Sequence, residues 1–292
     1  MSARLRGIAR QTEEIVAAGS YRAPDGREVL LAADIAAARA GTRLYGPEAV
    51  PVPPAPDLDA VFEVTGESSL EAARRLADAP VAVLNFASAR NPGGGYLNGA
   101  QAQEEALCRA SALYTCVREA AAYYDRHRAH RDPFYTDRVI HSPAVPVFRD
   151  DRGALLAEPY RAGFLTAAAP NAGVIRRTAP ERTGELPQAL AVRAERVLEV
   201  AAAHGYRRLV LGAWGCGVFQ NDPAQVAGAF RGLLGPGGRF AGTFEHVVFG
   251  VLDRTPGSVV RGAFAEAFRT AGADAQWLSS SRSARAAGGV RG

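Results

Sequence analysis

The pattern that most restricts the fold is an alternation of short apolar runs with longer segments of helical periodicity. Apolar runs occur at residues 61–65, 81–87, 138–147, 209–214 and 247–252, and a weaker one at 164–169. Helical patterns separate them, at residues 70–77, 103–126, 186–204, 224–234 and 259–270. Strands that alternate with helices predict an α/β fold with a mixed, mostly parallel central sheet flanked by helices. Residues 81–87 (VAVLNFA) lack polar alternation, which is typical of a strand buried on both faces.

The two ends of the chain differ from this alternating region. Residues 1–56 predict an N-terminal extension, in which helices over 1–21 and 34–40 precede a proline-rich strap that can form neither helix nor central strand. We expect a single domain over residues 57–278. Residues 279–292 are low in complexity and are predicted to be disordered.

The composition excludes several kinds of chemistry. All 34 Lys+Arg residues are arginine, so the lysine of a Walker phosphate loop, of a protein kinase or of a Schiff-base enzyme is missing. The net charge of +4 is compatible with a polyanionic substrate but does not establish one, since a preference for arginine codons gives the same excess.

Cysteine usage and hydropathy indicate the compartment. Cys108, Cys116 and Cys216 form no CxxC pair, the first residues lack the apolar core of a signal peptide, and no run of about 18 apolar residues is present. We therefore expect a cytoplasmic protein with no membrane contact, and we expect it to be a monomer.

A glycine loop follows the buried strand at 81–87. Asn85 and Ser88 lie at the end of that strand, residues 93–95 are all glycine, and a helix begins near Gln103. A strand, a glycine loop and a helix N-terminus in this order place backbone N–H groups where an anion binds, although a bare GGG is also common in plain turns. The glycine spacing does not fit the G-x-G-x-x-G of dinucleotide-binding folds.

Two adjacent carboxylates stand in the first turn of this helix. Glu104 and Glu105 are expected to point about 100° apart on the helix. One carboxylate would then take part in a reaction while the other binds the reacting molecule. Acids at this position also stabilise a helix dipole without any catalytic role, and Glu105 is spaced to pair with Arg109.

A second strand, loop and helix junction occurs at residues 209–225 (LVLGAWGCGVFQNDPAQ). Asn221 or Asp222 followed by Pro223 predicts a helix start. Two such loops in one domain can bracket a ligand with two phosphates, and Phe219 is placed to pack on a ribose or a base.

Together these segments resemble the poly(ADP-ribose) glycohydrolases, in particular the bacterial type built on a macrodomain. The family signature is GGG, six to eight residues, and QEE; here GGG at 93–95 is followed by YLNGAQA and by QEE at 103–105. The resemblance implies a macrodomain fold, Glu105 as the catalytic residue and Glu104 as its neighbour that holds the substrate ribose. It further implies a set of substrate-binding residues: Asn85, Ser88, Gly93, Gly94, Gly95, Gln103, Gly215, Cys216, Gly217, Val218 and Phe219.

The implied reaction is hydrolysis of the ribose–ribose bond of poly(ADP-ribose), which releases ADP-ribose, mainly from chain ends. Glu105 would protonate the departing 2′-oxygen and then activate water, with no metal and no cofactor. His127 and His130 are interpreted as a solvated helix end, and Cys216 as a packing residue. Two alternatives share the same loops: a domain that binds ADP-ribose without cleavage, and a hydrolase that removes single ADP-ribose units from protein or nucleic acid.

Overall fold

The computed structural model describes residues 2–269, which form a central sheet between two layers of helices. The strands are β1 (Ser20–Arg22), β2 (Glu28–Leu30), β3 (Arg43–Tyr45), β4 (Val61–Thr65), β5 (Val81–Phe86), β6 (Val139–Arg149), β7 (Leu155–Ala167), β8 (Arg208–Leu211) and β9 (His246–Gly250). The helices are α1 (Ala3–Ala18), α2 (Ala32–Gly41), α3 (Ser69–Leu76), α4 (Gln103–Ala110), α5 (Leu113–Val117), α6 (Ala121–Ala129), α7 (Ala172–Thr178), α8 (Leu186–Ala203), α9 (Pro223–Leu234) and α10 (Val259–Ala267). Short 3₁₀ turns cover Tyr96–Asn98, Arg118–Ala120, Pro180–Glu185 and Pro256–Ser258.

The central sheet has seven strands in the order β3-β6-β7-β5-β8-β9-β4. The five strands from β7 to β4 are parallel to their neighbours, whereas β6 is antiparallel to both β7 and β3. The mixed, mostly parallel sheet predicted from the sequence is therefore confirmed. Since parallel strands end at the same edge, the loops after β5, β7, β8, β9 and β4 meet there.

The strand β5 lies at the centre of the fold and is buried on both faces. Its residues from Val81 to Asn85 are at most 1% exposed. Val81 and Val83 pack into an apolar cluster with residues of α1 to α5, and Ala82 and Leu84 pack into a second cluster with residues of α8 to α10. The uninterrupted apolar run of β5 follows from helices on both of its faces.

The single helix expected at residues 103–126 is wrong, because the chain breaks at Ser111. Ser111 has extended backbone angles and forms a bridge with Val147 of β6, so α4 ends at Ala110 and α5 begins at Leu113. The Ser111 hydroxyl donates to the Leu107 carbonyl and accepts from the Leu113 N–H. This serine satisfies backbone groups on both sides of the break.

The N-terminal segment is joined to the rest of the fold through hydrogen bonds. Strand β3 pairs with β6 at the edge of the central sheet, and the Val50 N–H donates to the buried carboxylate of Glu199. The division at residue 56 stays a prediction, and the tail predicted at 279–292 lies outside the described residues. No helix within residues 2–269 is both long and apolar enough to cross a membrane.

Candidate active site

The two glycine loops lie side by side because the strands that precede them are neighbours. Strand β5 pairs in parallel with β8, with Val83 opposite Val210, so both strands end at the same edge of the sheet. The loop after β5 leads to α4 and the loop after β8 leads to α9. The topology thus brings together two segments that are more than 100 residues apart in the sequence.

Glu105 is fixed by the first glycine loop. Its side chain is 7% exposed, and its Oε1 atom accepts a hydrogen bond of 2.8 Å from the Gly95 N–H. Its Oε2 atom has no partner among the described residues, although it is buried. Oε1 is therefore held by the loop, and Oε2 is available to contact a bound molecule.

Glu104 is held more deeply than its neighbour. It is 2% exposed, and it accepts 2.6 Å from the Ser88 N–H and 3.4 Å from the Asn85 amide. Burial and the adjacent charge of Glu105 together raise the pKa of Glu104 to about 8, even though the hydrogen bonds to the carboxylate act to lower it. The carboxyl group of Glu104 is therefore largely protonated near neutral pH.

Both carboxylates face Gly94 in spite of their adjacent positions on a helix. A Cβ atom at Gly94 would lie 2.5 Å from Oε1 of Glu105 and 3.1 Å from Oε2 of Glu104. Gly94 also has a φ of +58°, which side chains disfavour. Glycine is required here because the two side chains turn back onto the loop.

The first loop contacts the two carboxylates through its backbone N–H groups. The Gly94 N–H donates to the Asn91 carbonyl, and the Gly95 N–H is engaged by Glu105. The Gly93 N–H acts on Glu104 and lowers its pKa. Two of these N–H groups therefore orient the acids and the third closes a turn, and a contact of residues 93–95 with substrate stays a prediction.

Gln103 and Asn85 lie beneath the site and connect its parts. The Gln103 amide donates to Ser69 and to the Leu84 carbonyl, and its oxygen accepts from the Phe86 N–H. Asn85 is fully buried and its amide donates to Thr166 as well as to Glu104. These contacts fasten the start of α4 to β5, and a direct contact of either side chain with substrate stays a prediction.

The second loop presents backbone N–H groups that no protein group occupies. Within residues 2–269, the N–H groups of Gly215, Gly217, Val218 and Phe219 have no hydrogen-bond acceptor. Val218 is 81% exposed. The loop is shaped by Asn221, whose amide donates 2.8 Å to the Pro170 carbonyl and 3.3 Å to that of Gly215. Free backbone donors of this kind are suited to bind an anion.

Phe219 lies across the cleft from the acids as the end of an aromatic series that the sequence did not predict. Its ring centroid is 5.8 Å from that of Tyr135, which is 5.7 Å from that of His127. His127 is 1% exposed, so its interpretation as a solvated helix end is wrong, and burial lowers its pKa to about 4. Tyr135 has a φ of +59° and lines the cleft, but no sequence motif marks it.

The cleft between the loops has a volume of about 930 Å³ and is lined by Ser88, both glutamates, Tyr135, Phe219 and residues of both loops. A second cavity of about 600 Å³ adjoins it and shares Phe86, Gln103 and Gly217 as walls. Leu70, Val251 and Leu252 give this second cavity an apolar surface, and Asp253 lies at its side. Cavities of this size accommodate a nucleotide-sized molecule.

Neither cysteine nor metal chemistry is indicated by the geometry. Burial raises the pKa of Cys216 to about 12, so it is a thiol at neutral pH rather than a nucleophilic thiolate. In the part of the chain that the structure describes, no three His, Cys, Asp or Glu residues cluster as metal ligands.

The fold and the site define a macrodomain-like α/β protein with a carboxylate pair in a cleft between two glycine loops. A family model described as microbial-type PARG, catalytic domain, matches residues 9–150. The crystal structure of poly(ADP-ribose) glycohydrolase from Thermomonospora curvata is 50% identical, with a TM-score of 0.87, and the match covers 91% of this chain and 100% of that chain.

Two further structures extend the comparison. The Thermomonospora curvata enzyme bound to the inhibitor ADP-HPD is 51% identical, with a TM-score of 0.85 over 91% of this chain and 100% of that chain. The Deinococcus radiodurans enzyme in complex with ADP-ribose is 47% identical, with a TM-score of 0.75 over 80% of this chain and 97% of that chain. A search of curated proteins found no match. The chain belongs to the microbial-type poly(ADP-ribose) glycohydrolase family.

Proposed function

We propose that this protein is a glycosidase that hydrolyses the ribose–ribose O-glycosidic bonds of poly(ADP-ribose) and releases ADP-ribose, mainly from chain ends. The observation that carries the proposal is the state of Glu105: one carboxylate oxygen is anchored to the Gly95 N–H and the other is buried without a protein partner. A carboxyl group held in this way is suited to transfer a proton to a departing oxygen. The substrate class comes from the family.

The two loops have different parts in this scheme. The free N–H groups of Gly215, Gly217, Val218 and Phe219 bind the diphosphate, which explains how a chain without lysine recognises phosphate. The adjoining cavity holds the adenosine moiety of the terminal unit. The terminal ribose then lies between Phe219 and Glu105, which both line the cleft.

Glu104 assists by holding the ribose. Because its pKa is raised to about 8, it bears little charge beside Glu105 near neutral pH, and its hydroxyl is able to donate to a sugar oxygen. Ser88 and Asn85 position it through the hydrogen bonds described above. Glu104 is therefore assigned to binding and Glu105 to proton transfer.

Glu105 performs two steps in turn. It protonates the 2′-oxygen as the ribose–ribose bond breaks and charge develops on the sugar carbon, and it then takes a proton from the water that attacks this carbon. The water oxygen forms the new bond, and ADP-ribose and a chain shortened by one unit are the products. No cofactor takes part in these two steps.

The variant Glu105→Gln tests this assignment. General acid–base catalysis contributes about 10²- to 10⁴-fold, so we expect a loss of this order in kcat on purified polymer, with ADP-ribose affinity retained. Near wild-type ADP-ribose release by the variant would refute the role of Glu105.

Product analysis distinguishes the remaining alternatives. Wild-type protein should release ADP-ribose from polymer and not from singly modified protein, and a product ladder that shortens by single units indicates cleavage at chain ends. Binding without release would indicate a recognition domain instead. The predicted cytoplasmic location and monomeric state stay predictions.

A further inference from the structure

Part of the cleft wall is not shared with the adjoining cavity. Arg90, Asn98 and Tyr114 line this part of the cleft, and none of them lines the adjoining cavity. We call these three residues the outer wall. A terminal unit that fills the adjoining cavity, the second loop and the space beside Glu105 leaves the outer wall uncovered.

Arg90 is the charged member of the outer wall. It is exposed, and its guanidinium has no carboxylate partner within residues 2–269. Its position is fixed through its backbone, because its carbonyl accepts 2.6 Å from Arg128. Among the residues that line the cleft, the two glutamates are the only acids and Arg90 is the only base. An unpaired guanidinium at the mouth of a cleft is suited to bind phosphate.

Tyr114 supplies an aromatic surface to the same cleft. Its ring is half-buried and packs on Tyr96, with ring centroids 5.1 Å apart. The Arg118 guanidinium lies 5.5 Å from the ring centroid. Arg118 also acts on the carboxylate of Glu13, so Arg90 remains the main cation of this region. The ring is held by Tyr96 and Arg118 and also lines the cleft, where an aromatic surface is suited to stacking on a base.

We propose that the outer wall binds the leaving part of the polymer, namely the ADP-ribose unit on the far side of the scissile bond. The departing 2′-oxygen belongs to the adenosine of that unit, so its adenine and its diphosphate are the next groups along the chain. Tyr114 stacks on the adenine and Arg90 binds the diphosphate. This inference rests on the proposed function, and it makes the outer wall a determinant of polymer over single ADP-ribose units.

Binding measurements in a Glu105→Gln background test the outer wall without turnover. ADP-ribose and a purified chain of two ADP-ribose units are titrated calorimetrically, and we expect the two-unit chain to bind more tightly. Adding Arg90→Ala should weaken chain binding about threefold to tenfold, and Tyr114→Leu about tenfold, because each removes one contact to the second unit. The affinity for ADP-ribose should stay within about twofold of the parent in both cases.

Two matched variants separate a specific contact from general charge. Arg22→Ala removes an equally exposed arginine from β1, outside the cleft, and should leave chain affinity unchanged. Arg90→Lys retains the charge and should restore part of the affinity. The effect of Arg90→Ala should shrink as salt increases, because the contact is between opposite charges.

With Glu105 intact, Arg90→Ala should raise KM for polymer and leave kcat unchanged. The inference is overturned if the two-unit chain binds no more tightly than ADP-ribose, or if the wall variants weaken both ligands equally. If wild-type protein binds the chain but does not cleave it, the proposed function fails while the binding result still stands. If wild-type protein cleaves the chain and the outer-wall variants bind the chain as tightly as wild type, only the binding role of the outer wall is refuted.

Discussion

The substitution Gly94→Ala tests whether the first glycine loop orients the acids. Its Cβ atom would lie 2.5 Å from Oε1 of Glu105, well inside van der Waals contact, and 3.1 Å from Oε2 of Glu104. To reach ordinary contact, the Glu105 carboxylate must move by roughly 1 Å, which weakens its hydrogen bond to the Gly95 N–H. A misplacement of about 1 Å in a catalytic group costs on the order of 10²-fold in rate.

The substitution also imposes a backbone cost that must be separated from this effect. A φ of +58° costs an alanine about 1 kcal/mol relative to glycine. Gly26→Ala is the matched control, because Gly26 has a φ of +85° and no heavy atom lies within 4 Å of its added Cβ. We expect both variants to lose about 1 kcal/mol of unfolding free energy in urea, and only Gly94→Ala to lose activity.

Steady-state release of ADP-ribose from purified polymer is the assay, with ADP-ribose affinity measured in parallel. The expected result is a fall in kcat of about 100-fold with smaller changes in affinity. If Gly94→Ala retains more than about a third of wild-type kcat while folded, the carboxylates do not depend on the loop in the way the contacts indicate.

Two further predictions concern the groups that support the site. Because the folded-state pKa of Glu104 is raised to about 8, its contribution to stability is present below about pH 4.5 and is lost as pH rises through 8. The melting temperature of wild type should therefore fall between pH 5 and 9 by more than that of Glu104→Gln, and equal slopes in a pH series would contradict the raised pKa. Asn221→Ala removes the donor to the Pro170 and Gly215 carbonyls and should cost about 1–3 kcal/mol in urea denaturation with a raised KM for polymer. An unchanged KM would show that the second loop does not need this anchor.

Much of the framework could be predicted from periodicity. The apolar run at 81–87 predicted a doubly buried strand because helices on both faces of β5 favour apolar side chains along most of its length. The break at Ser111 could not be predicted in this way. It depends on pairing with Val147, a residue of β6 that becomes a neighbour only in the folded chain.

The candidate site could be predicted in part, for a similar reason. The GGG and QEE motifs are local and identified Glu105 directly, whereas Tyr135 and Arg90 reach the cleft through loops whose course depends on tertiary contacts. The surroundings of His127 likewise could not be predicted, because in the sequence it resembles an exposed helix end. In the folded chain it lies between Tyr123 and Tyr135. Sequence motifs predicted the candidate acids, and the fold was needed to show which other residues line the cleft around them.

The two glycine loops look alike in the sequence and differ in what the following helix does with them. At the start of α4, Glu104 and Glu105 turn back onto the loop and accept its N–H groups. At the start of α9, Asp222 caps the helix itself by accepting from the Gln225 N–H, so that no side chain of the helix occupies the preceding loop. The first loop consequently orients an acid, whereas the second leaves N–H groups that we propose bind the diphosphate. Since both loops rely on backbone N–H groups, the proposed site does not require a lysine side chain, and the chain contains none.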